Sequence, residues 1–195
     1  MTSIAVSRIY TIEEYFELEK NSTVRHEYYH GKLIEMPGES KIANQISKNI
    51  LKKWDDSLEK QGYCLYNHDV KAEINARKIY RYPDLVVASE QDDNDSYVIT
   101  KPKIMVEVAS ENSFQRDSVK KKKEYTAIES MQYYMIVSQD EMFVELCFRD
   151  KNAWSFAFYE NADEVIELPQ FDLKITLAEI YHRVKFGEAK TDIEL

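Results

Sequence analysis

Two apolar segments that each carry one acidic residue constrain the fold of this chain more than any other feature. Residues 84–88 (DLVVA) and 104–109 (IMVEVA) have the β-branched composition of buried strands, yet Asp84 opens the first and Glu107 lies inside the second. Burial of an ionised carboxylate is costly unless the group is paired or binds a metal ion. On neighbouring strands the two carboxylates would form a site for a hard cation such as Mg²⁺ or Mn²⁺, which can activate water and stabilise charge on a phosphodiester.

The rest of the pattern predicts helices and strands around one mixed sheet. Apolar residues recur at helical spacing in some segments and alternate with polar residues in others. We predict helices at 11–20, 42–59, 117–129 and 176–184, and further strands at 32–36, 70–74, 133–137, 142–148 and 154–159. This order mixes hairpin and crossover connections, which indicates an α/β or α+β fold with a mixed sheet.

Length and composition set broader limits. The 195 residues suit one domain, which we expect over 1–187 with a flexible tail at 188–195. The chain has only two cysteines, which fits a reducing compartment, and no apolar run approaches the roughly 18 residues of a membrane span. We therefore expect a cytoplasmic protein that does not bind membranes. The net charge of −9 argues against a broad basic surface for nucleic acid, although a local basic patch could still face phosphates.

A lysine-rich segment supplies a third candidate group. Asp117, Lys121 and Tyr125 recur every four residues, so a helix places them on one face. A lysine that shares a face with Tyr125 is expected to turn inward, where its charge could position water or stabilise a charged transition state. The other lysines of the run point elsewhere and would meet phosphates or only solvent: Lys120, Lys122 and Lys123.

Taken in order, these residues resemble a known family. Residues 81–87 (RYPDLVV), 105–110 (MVEVAS) and the spacing within the lysine-rich helix are similar to the Uma-two family of presumed restriction endonucleases, in the PD-(D/E)xK nuclease superfamily. The resemblance covers about residues 10–148. It is carried by the ordered set, because no single motif within it is very specific.

The resemblance implies a restriction-endonuclease-like core sheet flanked by helices, with a C-terminal strand extension. It implies Mg²⁺ or Mn²⁺ as the cofactor, with Asp84, Glu107 and Lys121 as the catalytic residues. Asp84 and Glu107 would bind the metal, and Glu27 would be a further acidic ligand. The implied activity is metal-dependent endonucleolytic hydrolysis of DNA by a homodimer. The alternative is a nuclease-fold protein that binds or regulates without efficient catalysis.

The chain departs from the expected pattern at two positions. The superfamily places its lysine two residues after the second carboxylate, where this chain has Ala109. The family that the chain resembles places the lysine on the following helix instead, which matches Lys121. Relatives often carry a histidine near the start of the second helix, where this chain has Ala43. If that histidine assists catalysis, its loss lowers the activity expected here.

A zinc-peptidase signature competes for residues 26–30. The string HEYYH matches H-E-x-x-H, in which two histidines on one helix bind Zn²⁺ and the glutamate acts as a general base. The context is unfavourable, because Gly31 follows at once and 32–36 predicts a strand. We therefore rank this hypothesis far below the nuclease and interpret the two histidines as residues at a helix end. His68 and His182 are isolated in the sequence and receive no role.

Overall fold

A computed structural model describes residues 8–92, 95–151 and 153–187. Of residues 111–118 it describes the backbone alone, so the side chain of Asp117 lies outside the described part. The predicted tail at 188–195 lies outside it as well. None of the described helices is long and apolar enough to cross a membrane.

The described residues form four α-helices and thirteen strands. Its helices are α1 (Ile12–Asn21), α2 (Lys41–Glu59), α3 (Glu111–Thr126) and α4 (Leu177–Ile180). Its strands are β1 (His26–Tyr29), β2 (Lys32–Glu35), β3 (Tyr63–Asn67), β4 (Lys71–Asn75), β5 (Ile79–Arg81), β6 (Leu85–Ser89), β7 (Val98–Ile99), β8 (Ile104–Ala109), β9 (Tyr133–Ser138), β10 (Val144–Asp150), β11 (Ala153–Tyr159), β12 (Val165–Leu168) and β13 (Leu173–Thr176). They form a six-stranded sheet, a five-stranded sheet and a hairpin of β12 with β13.

The six-stranded sheet has the order β11-β10-β9-β8-β6-β3, in which β8, which contains Glu107, lies beside β6, which Asp84 directly precedes. β8 pairs with β9 in parallel, whereas β6 pairs with β8 in antiparallel fashion. A parallel pair needs a crossover connection, and α3 supplies it. Apolar side chains of α2, α4 and the β12–β13 hairpin cover one face of the sheet. Residues of α3 and of the five-stranded sheet cover the other face.

The five-stranded sheet has the order β2-β1-β5-β4-β7 and carries α1. A reciprocal capping box between Thr11 and Glu14 fixes the start of α1, which agrees with the helix predicted at 11–20. Tyr15 of α1 stacks on Tyr28 of β1 with 5.1 Å between the ring centroids. The opening helix is thereby held against the sheet by aromatic packing.

Residues 26–30 form a strand and a turn, not a helix. His26 belongs to β1, and the chain turns at His30 and Gly31, which have φ values of +47° and +87°. The φ at Gly31 favours glycine, and a Cβ there would lie 2.5 Å from Cγ2 of Ile9, whose side chain would have to move. Because the two histidines share no helical face, the zinc-peptidase hypothesis is wrong, and so is the interpretation of these residues as a helix end.

Other differences concern short elements. The sequence patterns did not predict β1, β3, β5, β7, β12 or β13, and strands of two to five residues offer few alternations from which to detect them. The helix predicted at 176–184 is only α4, and the chain leaves it through Arg183 at a φ of +64°. α3 begins at Glu111, not at 117, with Ser110 as its N-terminal cap residue.

Candidate metal centre

Asp84 and Glu107 lie opposite each other on neighbouring strands. In the antiparallel pair of β6 and β8, Leu85 is opposite Val106, and one further step of this register places Asp84 opposite Glu107. Leu85 and Val106 belong to the core on the α2 side of the sheet. Alternation along each strand therefore directs the two carboxylates toward α3.

The Asp84 carboxylate is held by one backbone hydrogen bond. Its Oδ2 accepts from the Val108 backbone N–H at 2.6 Å, and no described residue donates to its other oxygen. Burial and the nearby negative charge of Glu107 raise the pKa of Asp84 to about 7, although the Val108 N–H and the ammonium of Lys121 oppose the shift. Without a bound cation, ionisation of Asp84 is thus disfavoured by its surroundings.

Glu107 is paired with two residues of α3. Its Oε2 accepts from Lys121 Nζ at 2.8 Å, and its Oε1 accepts from the Tyr125 hydroxyl at 2.7 Å. Lys121 and Tyr125 are one helical turn apart, as the spacing in the sequence predicts. Burial alone would lower the pKa of Lys121, but the carboxylates of Glu107 and Glu27 outweigh burial and raise it. Lys121 therefore carries a full positive charge beside Glu107.

Glu27 lies in a different ion pair. It is buried on β1 and accepts from the guanidinium of Arg81, which is itself buried. Arg81 also donates to both carboxylate oxygens of Glu124, at 2.9 to 3.1 Å. With Lys121, Glu27 lines a separate cavity of about 240 Å³. The structure thus brings Glu27 near Lys121 and does not group it with Asp84, so its role as a metal ligand stays a prediction.

A cavity of about 580 Å³ opens beside Asp84, Glu107 and Lys121, and Glu39 and His68 also line it. Among the described residues, Glu39, His68 and Asp84 form a group whose ligand atoms all lie within 4.8 Å of one another. Carboxylate oxygens and imidazole nitrogens are common ligands of divalent cations in proteins. This donor set fits a metal ion on chemical grounds.

Sequence reasoning missed Glu39 and His68. Glu39 precedes α2, and His68 follows β3, so the two residues lie in loops that are distant in sequence. A periodic pattern within one segment does not reveal which loops meet in the fold. Ala43 of α2, at the position where relatives often carry a histidine, also lines the cavity. Among the described lining residues, the one histidine is His68.

The remaining lysines of the run differ in their contacts. Lys122 Nζ lies 2.5 Å from Oε1 of the buried Glu145, so it is not a solvated residue. Lys120 Nζ lies 3.5 Å from the centre of the Tyr29 ring, as a cation–π contact, although the lysine is exposed. Lys123 is also exposed. The sequence hypothesis of a phosphate-facing or solvated lysine therefore applies to Lys120 and Lys123, and not to Lys122.

A pH-dependent stability is expected from Asp84 in the metal-free protein. Its folded-state pKa of about 7 exceeds its ordinary value of 3.8, so the stabilising contribution of the protonated form is complete below pH 4 and is lost as the pH rises through 7. Asp84→Asn mimics the protonated form and should raise the free energy of unfolding above pH 7, by at most about 4 kcal/mol, with little effect near pH 4. Urea denaturation of both proteins in a chelator, from pH 4 to 8, measures this difference. A difference that does not change with pH would contradict it.

Comparison with known proteins finds a matching family, two relatives and a solved structure with a similar fold. The Uma2 family model, described as "Putative restriction endonuclease", matches residues 12–178. Two proteins of Synechocystis sp. are similar: sll1609 is 27% identical over 71% of this chain and 80% of its own length, and slr1290 is 28% identical over 89% of this chain and 92% of its own. A crystal structure of "a putative nuclease belonging to DUF820" from Anabaena variabilis has a TM-score of 0.70 at 16% identity, covering 88% of this chain and 97% of that one.

The structural similarity confirms the predicted fold class, a mixed α+β architecture of the kind found in that crystal structure. At 16% identity it bears on the fold alone. The family match spans most of the chain, from α1 to α4. The resemblance that the sequence suggests is therefore confirmed, and the chain belongs to the Uma2 family.

Proposed function

We propose that this protein is a metal-dependent endonuclease that hydrolyses phosphodiester bonds in DNA. One observation carries the proposal: Asp84 and Glu107 meet across adjacent strands beside a cavity, with Lys121 on Glu107. Two carboxylates and one ammonium are the groups needed to hold a divalent cation and to offset negative charge at a phosphate. The family description as a restriction endonuclease supports the same activity.

Asp84 and Glu107 are proposed to hold a divalent cation, Mg²⁺ or Mn²⁺. Asp84 has an oxygen without a donor among the described residues, and its position is fixed by Val108. Each oxygen of Glu107 accepts one hydrogen bond and keeps a second lone pair that could bind the ion. When bound, the cation would lower the pKa of a coordinated water and stabilise charge on the phosphodiester.

Lys121 is proposed to act at the reacting phosphate. Its ammonium is largely buried and is directed by Glu107, so little reorganisation is needed for it to meet a negative charge that develops in the cavity. Tyr125 fixes the other oxygen of Glu107 and thereby orients the pair. Asp84 and Glu107 are thus proposed to bind the metal ion, and Lys121 is proposed to stabilise charge at the phosphate.

A DNA-cleavage assay tests the proposal. Purified protein should nick or linearise plasmid DNA with Mg²⁺ or Mn²⁺ and should not do so in a chelator. Asp84→Ala should lower the rate by about 100-fold or more, since it removes a ligand from the site. Asp163→Ala, at an exposed turn residue, is the matched control and should cleave like the wild type. Equal cleavage by the Asp84→Ala protein would reject the site.

One observation favours a second candidate, a nuclease-fold protein that binds DNA without efficient cleavage. Both oxygens of Glu107 already accept hydrogen bonds from the chain itself, which opposes metal binding there. DNA affinity that is measurable by fluorescence anisotropy, together with no cleavage under any divalent cation, would support this candidate. Cleavage that depends on Asp84 would exclude it.

The expected homodimer remains a proposal that rests on the family resemblance, and the expected cytoplasmic location remains one that rests on the low cysteine content and the apolar pattern of the sequence. The edge strand β11 exposes Phe156 and Phe158, at 48% and 59%, which is compatible with a contact between copies. Light scattering of the purified protein would give its molar mass. A monomer at high protein concentration would contradict the dimer.

A further inference from the structure

We propose that Glu39, His68 and Asp84 form a mixed oxygen and nitrogen site that gives this protein a preference for transition-metal ions, such as Mn²⁺, over Mg²⁺. The inference deepens the proposed function, because it concerns which metal the cavity accepts, and it rests on that function only through the shared residue Asp84. Glu39 and His68 would then be metal-binding residues in addition to the predicted Asp84 and Glu107.

The spacing of the three side chains suits one ion. Their ligand atoms lie within 4.8 Å of one another. Ligand atoms sit roughly 2.0–2.6 Å from a divalent cation, so two ligands of the same ion are roughly 3–5 Å apart. A cation between the three groups would therefore need only small side-chain adjustments. The group lines the cavity that also contains Glu107 and Lys121.

Each of the three side chains is positioned by a contact that leaves a ligand atom available. Glu39 accepts from Asn44 Nδ2 through Oε2, at 2.9 Å, which leaves Oε1 with only the 3.6 Å contact to His68 Nδ1. Asp84 accepts from Val108 through Oδ2, which leaves Oδ1. The backbone N–H of His68 donates to the backbone oxygen of Asp84 at 3.1 Å, which joins the two loops directly.

The His68 imidazole has no hydrogen-bond partner among the described residues. Its Nδ1 lies 3.6 Å from Glu39 Oε1, which is too long for a hydrogen bond. The side chain is 29% exposed, so a nitrogen can be reached from the cavity. His68 also has a φ of +51°, an uncommon conformation for a residue with a side chain, and the surrounding loop maintains it. The imidazole thus lies beside two carboxylates, and its one side-chain contact among the described residues is the long ion-pair contact with Glu39, which a shared metal ion would replace.

Ligand chemistry gives the expected selectivity. Imidazole suits transition-metal ions such as Fe²⁺, Ni²⁺ and Zn²⁺, and Mn²⁺ stands at the low-affinity end of the first-row series, so it should show the smallest gain from the imidazole among these ions. Mg²⁺ prefers oxygen ligands and keeps several waters, so it gains little from an imidazole. Glu107 does not distinguish the two ions in this way, because carboxylate oxygens suit both Mg²⁺ and Mn²⁺. The His68 contribution should therefore appear as a difference between Mn²⁺ and Mg²⁺ affinity.

Direct metal binding tests the inference on the full chain. Mn²⁺ affinity is measured by electron paramagnetic resonance and Mg²⁺ affinity by calorimetry. Loss of a direct ligand should cost at least the roughly tenfold that outer-shell changes cost, so His68→Ala should weaken Mn²⁺ binding about tenfold or more. Mg²⁺ affinity should change by less than about threefold. His182→Ala, an exposed histidine on a different cavity, is the matched control and should bind both ions like the wild type.

Two further variants keep the result interpretable. Glu39→Gln should weaken Mn²⁺ binding as well, so the inference can be tested even if His68→Ala fails to fold by circular dichroism. Unchanged Mn²⁺ affinity in folded His68→Ala, or equal losses for Mn²⁺ and Mg²⁺, would overturn the site. Glu107→Gln separates the two proposals, because it should abolish cleavage and weaken the binding of both ions, whereas adding His68→Ala to it should further weaken Mn²⁺ binding alone. A protein that binds Mn²⁺ through His68 but never cleaves DNA would refute only the proposed function.

Discussion

Replacing Lys121 with alanine is expected to lower the turnover rate of DNA cleavage by about 100- to 1,000-fold, with a much smaller change in DNA affinity. Lys121 Nζ lies 2.8 Å from Glu107 in a mostly buried position, where a positive charge acts strongly on a charged transition state. Single-turnover cleavage with Mn²⁺ gives the rate, and anisotropy with Ca²⁺ in place of Mn²⁺ gives the affinity. Thermal unfolding of the variant checks that Glu107, left without its partner, has not disrupted the fold.

Two neighbouring lysines provide the controls for Lys121. Lys123→Ala removes an exposed charge, so any effect should be a modest loss of DNA binding that becomes smaller at high salt. Lys122→Ala removes the partner of Glu145 and should affect stability more than DNA binding. If Lys121→Ala cleaves as fast as the wild type while Lys122→Ala does not, Lys121 is not the catalytic lysine.

The central elements of the fold could be predicted because their patterns are strong and local. The run Ile104–Ala109 is β8 as predicted, and Ser40 caps α2 within one residue of the predicted start. By contrast, β5 has three residues and β7 has two, and each is stabilised by its neighbours in the sheet and not by its own sequence. Tertiary pairing of this kind leaves no periodic signal.

The candidate site, like the fold, could be predicted where the signal lies within one segment and not where the fold brings distant segments together. Asp84 and Glu107 were detectable because a carboxylate in an apolar strand is costly and demands a partner. Lys121 was detectable through its helical spacing with Tyr125. Glu39 and His68 were not detectable, because a polar residue in a loop is ordinary and only the fold brings the two together.

The pairing of Glu27 could not be predicted from the sequence either. The sequence gives an acidic residue in a H-E-x-x-H string and an arginine before Tyr82-Pro83-Asp84, with nothing to connect them. The structure connects them through the buried guanidinium of Arg81, which also binds Glu124. This arrangement pairs two acidic side chains close to Lys121 with one positive charge, and it implies that Arg81 contributes to stability.

Arg81→Met is accordingly expected to lower the free energy of unfolding by about 3–5 kcal/mol, because it leaves Glu27 and Glu124 buried without their shared cation. Methionine keeps much of the side-chain volume, so the loss reports charge and hydrogen bonds more than packing. Urea denaturation at pH 7.5 measures it.

Arg77→Met is the matched control: its partner Glu13 is exposed, so the loss should stay below about 1 kcal/mol. Adding Glu27→Gln and Glu124→Gln to Arg81→Met should restore much of the stability, since no carboxylate then remains unpaired. Equal losses for the two arginine variants, or no recovery in the triple variant, would show that the buried ion pairs do not hold this part of the fold together.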